Sequence, residues 1–180
     1  MLRRCAAAVL LAATAACAAP PDKELHQAEG AIAAAKAADA ARYAPDELKA
    51  AEAALHDYRT AVDARDYRQA LRLAMDAQVS ASEAARRAGD EKALARSRAE
   101  RLIADLASLI DRMTVRPGAT ARVTPAVAKQ RPAAVTRLQE ARSQLEKQEY
   151  REVVASLGPV VEQLRRVLGD DVSPPVRQAR

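Results

Sequence analysis

The fold is decided by residues 66–113, which read DYRQALRLAMDAQVSASEAARRAGDEKALARSRAERLIADLASLIDRM. Small and apolar residues recur there at alternating steps of four and three, and Glu91 is the only charged residue in the row. We call the apolar members of this row, without Glu91, the seam. The seam consists of Ala70, Ala74, Ala77, Ala81, Ala84, Ala88, Ala95, Ala99, Leu102, Leu106, Leu109 and Met113. Such spacing predicts one long helix whose seam packs against other helices. Gly89 is the natural place for a break, but the row keeps its register across it, which favours continuity.

The residues before the seam predict a three-helix module over residues 22–113. An apolar stripe predicts a first helix over residues 22–43. Pro45 suits the first position of the second helix, and the two acidic residues after it complement a helix N-terminus. Asp66 can cap the third helix and forms a capping-box-like pair with Gln69. Links this short make neighbouring helices antiparallel.

The residues after the seam begin with a proline- and glycine-containing stretch, 114–131, that has no acidic residue. This stretch predicts a basic loop that could contact an anionic ligand, and the simpler alternative is a solvated linker. Its basic residues are Arg116, Arg122, Lys129 and Arg131.

Helical spacing resumes over residues 132–168 and predicts a C-terminal helical hairpin. Pro159 should kink or split the second helix of this hairpin, and residues 169–180, which carry no apolar stripe, predict a disordered tail. The predicted fold is all-α: an elongated antiparallel helical bundle in which two helical hairpins share one long central helix. Because both halves of the seam find partners within the chain, we expect a monomer.

The two hairpins are related in sequence. Asp66-Tyr67-Arg68 and Glu149-Tyr150-Arg151 each open a helix after a short turn, and Tyr67 and Tyr150 are 83 residues apart. Apolar positions of the preceding helices match at the same separation. A tetratricopeptide array is excluded, because its repeat is about 34 residues long and has bulky consensus positions that this chain lacks.

The N-terminus has the layout of a bacterial secretion signal over residues 1–16. Arg3 and Arg4 are followed by a short apolar run that ends in Thr14-Ala15-Ala16-Cys17. The run is too short to cross a hydrocarbon core of about 30 Å as a mature helix.

Small residues before Cys17 resemble the lipobox of bacterial lipoproteins. The resemblance implies that Cys17 becomes the lipidated first residue, with residues 17–21 as a tether, and that Ala18 directs the protein to the outer membrane. Thr14 departs from the leucine most often found at its position, so cleavage at an Ala-x-Ala site to give a soluble periplasmic protein is the alternative. Lipidation would also account for Cys17 as the only thiol of the mature chain in an oxidising compartment.

The composition limits the chemistry that the chain can support. Phe and Trp are absent, and alanine makes up about a quarter of the residues, so the bulky walls of an enzyme pocket are hard to build. Without Arg3 and Arg4, 27 basic residues face 24 acidic ones, a balance that does not indicate nucleic-acid binding. His26 and His56 are too far apart in the predicted antiparallel pair to share a metal, and Glu52 and His56 form at most an ordinary surface pair. We therefore expect no catalytic residues, metal or cofactor.

Tyr43-Ala44-Pro45-Asp46-Glu47-Leu48, after an alanine-rich helix and before Tyr67-Arg68-Gln69-Ala70-Leu71, resembles the family of bacterial envelope proteins called domain of unknown function 4398. The resemblance covers residues 20 to 90. It implies a helical lipoprotein or periplasmic segment, joined in some relatives to an OmpA-like peptidoglycan-binding domain. No such domain is visible here, because residues 132 to 168 indicate helices alone.

Two functional hypotheses follow. The first is a non-enzymatic cell-envelope lipoprotein that acts as a helical scaffold or adaptor, held to the membrane by its lipid anchor and bound to an envelope protein or to peptidoglycan. The alternative is a periplasmic binding module for an anionic envelope polymer, peptidoglycan or lipopolysaccharide, that uses the basic loop.

Overall fold

The computed structural model describes residues 19–113 and 125–168, and for residues 125–128 the backbone alone. These residues form helices with no strand among them, which confirms the predicted all-α class and helical-bundle architecture. The helices are α1 (Asp22–Ala37), α2 (Ala40–Tyr43), α3 (Pro45–Asp63), α4 (Tyr67–Arg112), α5 (Pro125–Glu146) and α6 (Tyr150–Leu168). The predicted signal peptide, Cys17, Arg116, Arg122 and the predicted tail 169–180 lie outside the described residues.

The seam forms one unbroken helix, as the sequence predicts. α4 has 46 residues, which corresponds to about 70 Å at 1.5 Å per residue. It continues through Gly89, where a β-carbon would meet no other atom. Every member of the seam is buried except Leu102, which is partly buried, and Glu91 is also partly buried.

The first predicted helix is interrupted, which corrects its extent of 22–43. α1 ends at Ala37, and Asp39 has a φ of 62° in the left-handed region. The amide of Asp39 donates to the carbonyl of Lys36 at 3.0 Å. Aspartate adopts this conformation more readily than bulkier residues do. α1 therefore ends six residues before the predicted end at Tyr43, and α2 is a separate single turn.

The starts of α3 and α4 follow the predicted chemistry. Pro45 occupies the first turn of α3 after Ala44, which has a φ of −142° and lies outside the helical region, and Asp46 and Glu47 follow it. Asp66 caps α4, because its Oδ1 accepts the amide hydrogen of Gln69 at 2.9 Å. The reciprocal half of the capping box is not made, since the amide of Asp66 donates instead to the carbonyl of Ala61.

The predicted boundary at Pro132 is corrected by the structure, because α5 begins at Pro125 and contains Pro132. Proline suits the first helical position, and Pro132 within the helix removes one backbone hydrogen bond without ending it. Pro159 behaves in the same way in α6, which is not split there.

The described residues fall into two compact units, one up to Glu91 and one from Lys92. In the first unit, the end of α1 joins α3 through Lys36 Nζ and Glu52 Oε1, 2.7 Å apart. The end of α3 packs on the start of α4, where Tyr58 and Ala61 meet Ala70 and Ala74. An ion pair between Glu47 and Arg87 joins the start of α3 to α4. These contacts make α3 antiparallel to both α1 and α4.

The second unit has a bulkier core. α5 packs on α6, and Arg165 Nη2 of α6 lies 2.6 Å from Asp105 Oδ2 of α4. Its buried residues include Ala99, Leu106, Leu109, Ile110 and Met113 of α4, Ala134, Leu138 and Ala141 of α5, and Tyr150, Val153, Leu157, Val161 and Leu164 of α6. Neither unit buries a charged residue within the described residues.

The turns before α4 and α6 have the same structure, in agreement with the related hairpins seen in the sequence. Arg65 has a φ of 57° and Gln148 a φ of 61°. Each amide donates to the carbonyl three residues before it, and the next amide donates to the carbonyl five residues before it. This is the Schellman motif, in which glycine is the usual left-handed residue. Both turns therefore end their helices with a residue that is strained in this conformation.

We predict that Arg65→Gly and Gln148→Gly each raise the free energy of unfolding, by about 0.5–1 kcal/mol, because glycine removes the strain of a left-handed residue. Urea unfolding followed by circular dichroism measures the change. Ala64→Gly is the control: Ala64 is exposed and right-handed, so glycine there should lower the stability or leave it unchanged. Equal losses in Arg65→Gly and Ala64→Gly would contradict the prediction.

Candidate functional site

The four predicted anion contacts do not form a cluster in the described part of the chain. Lys129 and Arg131 are both exposed and lie in the first half of α5. Because successive helical residues turn by about 100°, these two side chains project from nearly opposite sides of α5. Arg116 and Arg122 lie outside the described residues. The predicted loop is therefore in part a helix, and its two described cations cannot bind one small anion together.

Both histidines are exposed. His26 Nδ1 lies 3.5 Å from Glu29 Oε2 within α1. The surface pair considered for Glu52 and His56 is not the one observed, because Glu52 bonds to Lys36 of α1. Among residues 19–113 and 129–168, no three histidine, cysteine or carboxylate side chains come together as metal ligands.

A surface depression of about 400 Å³ lies at the turn between α3 and α4. Its lining consists of Asp57, Thr60, Ala61, Ala64, Asp66, Gln69 and Leu73. One of its two carboxylates, Asp66, is already used as the cap of α4, and the depression is largely open to solvent. This depression was not predicted, because two alanines beside polar residues at a helix turn are its only signal in the sequence.

Two tyrosines of the first unit, Tyr43 and Tyr58, are buried together with their hydroxyl groups. The Tyr43 ring has the guanidinium of Arg42 6.0 Å from its centre. The Tyr58 hydroxyl has no hydrogen-bond partner among the described residues.

Burial raises the pKa of Tyr58 above its ordinary value of 10.0, and the nearby carboxylates of Asp22, Glu24 and Glu29 raise it further. Both effects disfavour the tyrosinate. The phenol therefore stays neutral in the folded protein at pH values where an exposed tyrosine ionises.

Surface charges of the helices are paired mainly within one helix. Arg86 contacts both Glu83 and Asp90, and Arg96 Nε donates to Glu100 Oε1 at 2.8 Å. The hydrogen bond and the negative charge of Glu100 raise the pKa of the Arg96 guanidinium. These pairs lie on the solvated helix surface and do not converge on a pocket.

Each of the described helices is too short or too polar to pass through a bilayer.

Tyr58→Phe should leave the free energy of unfolding unchanged or raise it by up to about 1 kcal/mol at pH 8, because it removes a buried hydroxyl that lacks a partner. The wild type should lose stability above about pH 10, because the unfolded chain releases its phenol proton at a lower pH than the folded chain. The part of this loss that Tyr58 causes should be absent from the variant.

Urea unfolding between pH 8 and pH 11 measures both effects. Tyr67→Phe is the control, because Tyr67 is only partly buried and its replacement should retain the alkaline loss caused by Tyr58. A Tyr58→Phe protein that is much less stable at pH 8 would contradict the prediction.

Comparisons with known proteins give no relative for this chain. No family model, curated protein or solved structure matches it. The resemblance to the domain of unknown function 4398 family stays a prediction from the sequence.

Proposed function

We propose that the protein is a non-enzymatic, lipid-anchored scaffold or adaptor of the cell envelope. The observation that carries the proposal is the leader, in which a short basic and apolar segment ends in small residues followed by Cys17. Cys17 precedes the start of α1 at Asp22 by only five residues. An anchor at Cys17 would therefore hold the first helical unit close to the membrane surface.

The physical chemistry of the anchor favours stable attachment. A single acyl chain gives only marginal and reversible membrane binding, whereas two lipid signals on the same protein hold it stably. A lipidated N-terminal cysteine would carry more than one acyl chain. The protein would then need no spanning helix to stay at the membrane.

The helical units suit an adaptor that binds through helix faces. α4 runs for 46 residues, and its exposed charges of both signs pair along the helix surface. A helix of this length offers surface for more than one partner. The natural location of such a protein is the periplasmic face of the outer membrane, and a soluble periplasmic protein is the alternative if Cys17 is not lipidated.

Palmitate labelling tests the anchor. We expect the wild type to take up label and to partition with membranes, and Cys17→Ala to lose the label and become soluble. Cys5→Ala is the matched control: Cys5 lies within the predicted signal peptide, so its replacement should leave the label in place. An unlabelled and freely soluble wild type would overturn the proposal.

The second candidate function is binding of an anionic envelope polymer through the basic residues before and within α5. Lys129 and Arg131 are exposed, and the first acidic residue of α5 is Glu140, which pairs with Arg137 at 3.6 Å. The first half of α5 is therefore a region of positive charge. Cations on opposite sides of a helix fit an extended polymer better than a small anion.

Co-sedimentation with purified peptidoglycan, or with lipopolysaccharide, tests this function. Replacing Arg116, Arg122, Lys129 and Arg131 by glutamine should reduce the bound fraction to near background at low salt, because the charges that attract the polymer are gone. The control replaces four exposed basic residues elsewhere: Lys23, Lys49, Arg59 and Arg98. Equal binding by the two quadruple variants would rule out this function.

A further inference from the structure

An apolar row lies on α4 away from the helices that pack on its seam. Leu71, Met75 and Val79 follow one another at steps of four and are 38%, 53% and 65% exposed. Helical geometry turns Met75 by about 140° and Val79 by about 180° from the centre of the seam. We call these three residues the outer row.

The outer row has the composition of an interaction site. Apolar side chains that stand next to one another on a soluble surface and are rimmed by polar groups indicate a binding surface, whereas single exposed ones need no explanation. Leu94 and Val167 are exposed as well, but neither continues the outer row. The inner face of α4 is filled by its own chain, so a partner on the outer row would not compete with the fold.

We propose that the outer row binds the outer row of a second copy of this chain, with the two α4 helices antiparallel and a two-fold axis beside Met75. In this arrangement Met75 packs on Met75 of the second copy. Leu71 packs on Val79 of the second copy, and the reverse pair is made by symmetry.

Charge decides the direction of the two helices. Arg72 and Asp76 lie on the same flank of the outer row, one turn apart. In an antiparallel pair with a two-fold axis, equal flanks face each other, so each Arg72 lies beside Asp76 of the other copy. In a parallel pair this flank would face the opposite one, where Gln78 and Ser82 offer no charge.

The charges of this flank are available for such pairing. Asp76 makes no ion pair among the described residues. Arg72 donates only to the side chain of Gln69 within its own helix. Two arginine–aspartate pairs near the axis would fix the register, while the apolar row supplies the contact.

The outer row is small. Three partly exposed side chains fall well short of the roughly 800 Å² that each partner buries in a standard interface. The association is therefore weak and needs a high protein concentration. The proposal departs from the monomer that the sequence predicts.

Disulfide trapping of the purified full-length chain tests the arrangement. Cα atoms that face each other across two packed helices lie within reach of a disulfide, so Met75→Cys should form a cross-linked dimer under mild oxidation. Leu71→Cys and Val79→Cys should cross-link when mixed but not separately, because each is about 12 Å from its own copy along the axis. The wild type measures the background from any native cysteine, Cys5 or Cys17, that the purified chain keeps as a free thiol.

Met75→Cys at wild-type background would overturn self-association and leave the outer row to a different protein. Cross-linking of Leu71→Cys with itself, as efficient as that of Met75→Cys, would overturn the antiparallel direction. Either result is clear, because all three positions are exposed and cysteine there should not disturb folding.

Charge reversal tests the register by a separate measurement. Arg72→Asp should lower the cross-linking yield of Met75→Cys severalfold, because it places two aspartates together. Arg72→Asp combined with Asp76→Arg should restore the yield. Lys49→Asp, on the exposed surface of α3, is the matched control and should have no effect, whereas equal loss in all charge variants would contradict the proposed register.

Discussion

The close packing of alanine along α4 is the constraint on which the first unit depends. Its six seam alanines, from Ala70 to Ala88, are fully buried, so other helices must come within contact of a side chain that is a single methyl group. Alanine favours the helix but buries little apolar area. The area must therefore come from the facing helices, and Tyr58 of α3 supplies part of it where it packs with Ala70 and Ala74. A bulky residue at Ala70 or Ala74 would have to displace such a neighbour, because packed interiors tolerate added volume poorly.

The second unit also packs two helices closely, but its large and small side chains lie on the opposite helices of the hairpin. Its hairpin repeats the turn of the first at a separation of 83 residues, but Tyr58 corresponds to Ala141, while Ala74 and Ala81 correspond to Leu157 and Leu164. The large side chain lies on the first helix of one hairpin and on the second helix of the other. These three positions are buried in both hairpins, so the backbone motif is kept while the volume moves across the helix contact. This is the behaviour expected when total core volume, more than the identity of each residue, decides whether two helices pack.

The sequence was sufficient for features that depend on local chemistry. The period of the seam, the cap at Asp66 and the start of α3 at Pro45 each follow from a few neighbouring residues. The predicted start of the C-terminal hairpin at Pro132 was wrong, because Pro132 removes one backbone hydrogen bond without ending α5, which begins at Pro125. α6 also continues through Pro159 and is not split there. Asp39, Arg65 and Gln148 adopt left-handed conformations. A glycine at these positions would have predicted such a conformation from the sequence, whereas these residue types do not. The candidate site was harder still, because solvated cations such as Lys129 and Arg131 have no periodicity that fixes where their side chains point.

Two independent faces make α4 more than a packing element. Its seam is used by the chain itself, and burying it is necessary for the first unit to fold. The outer row lies outside that core and is 38–65% exposed, so leaving this part of Leu71, Met75 and Val79 in water is unfavourable for the isolated chain. Polar residues at these three positions would leave the seam unchanged. The folded unit alone therefore gives no reason for apolar residues at consecutive steps of four on the outer side, whereas the proposed contact with a second copy would. A helix that stabilises its own unit with one face and offers the other to a partner has the physical properties that a scaffold needs.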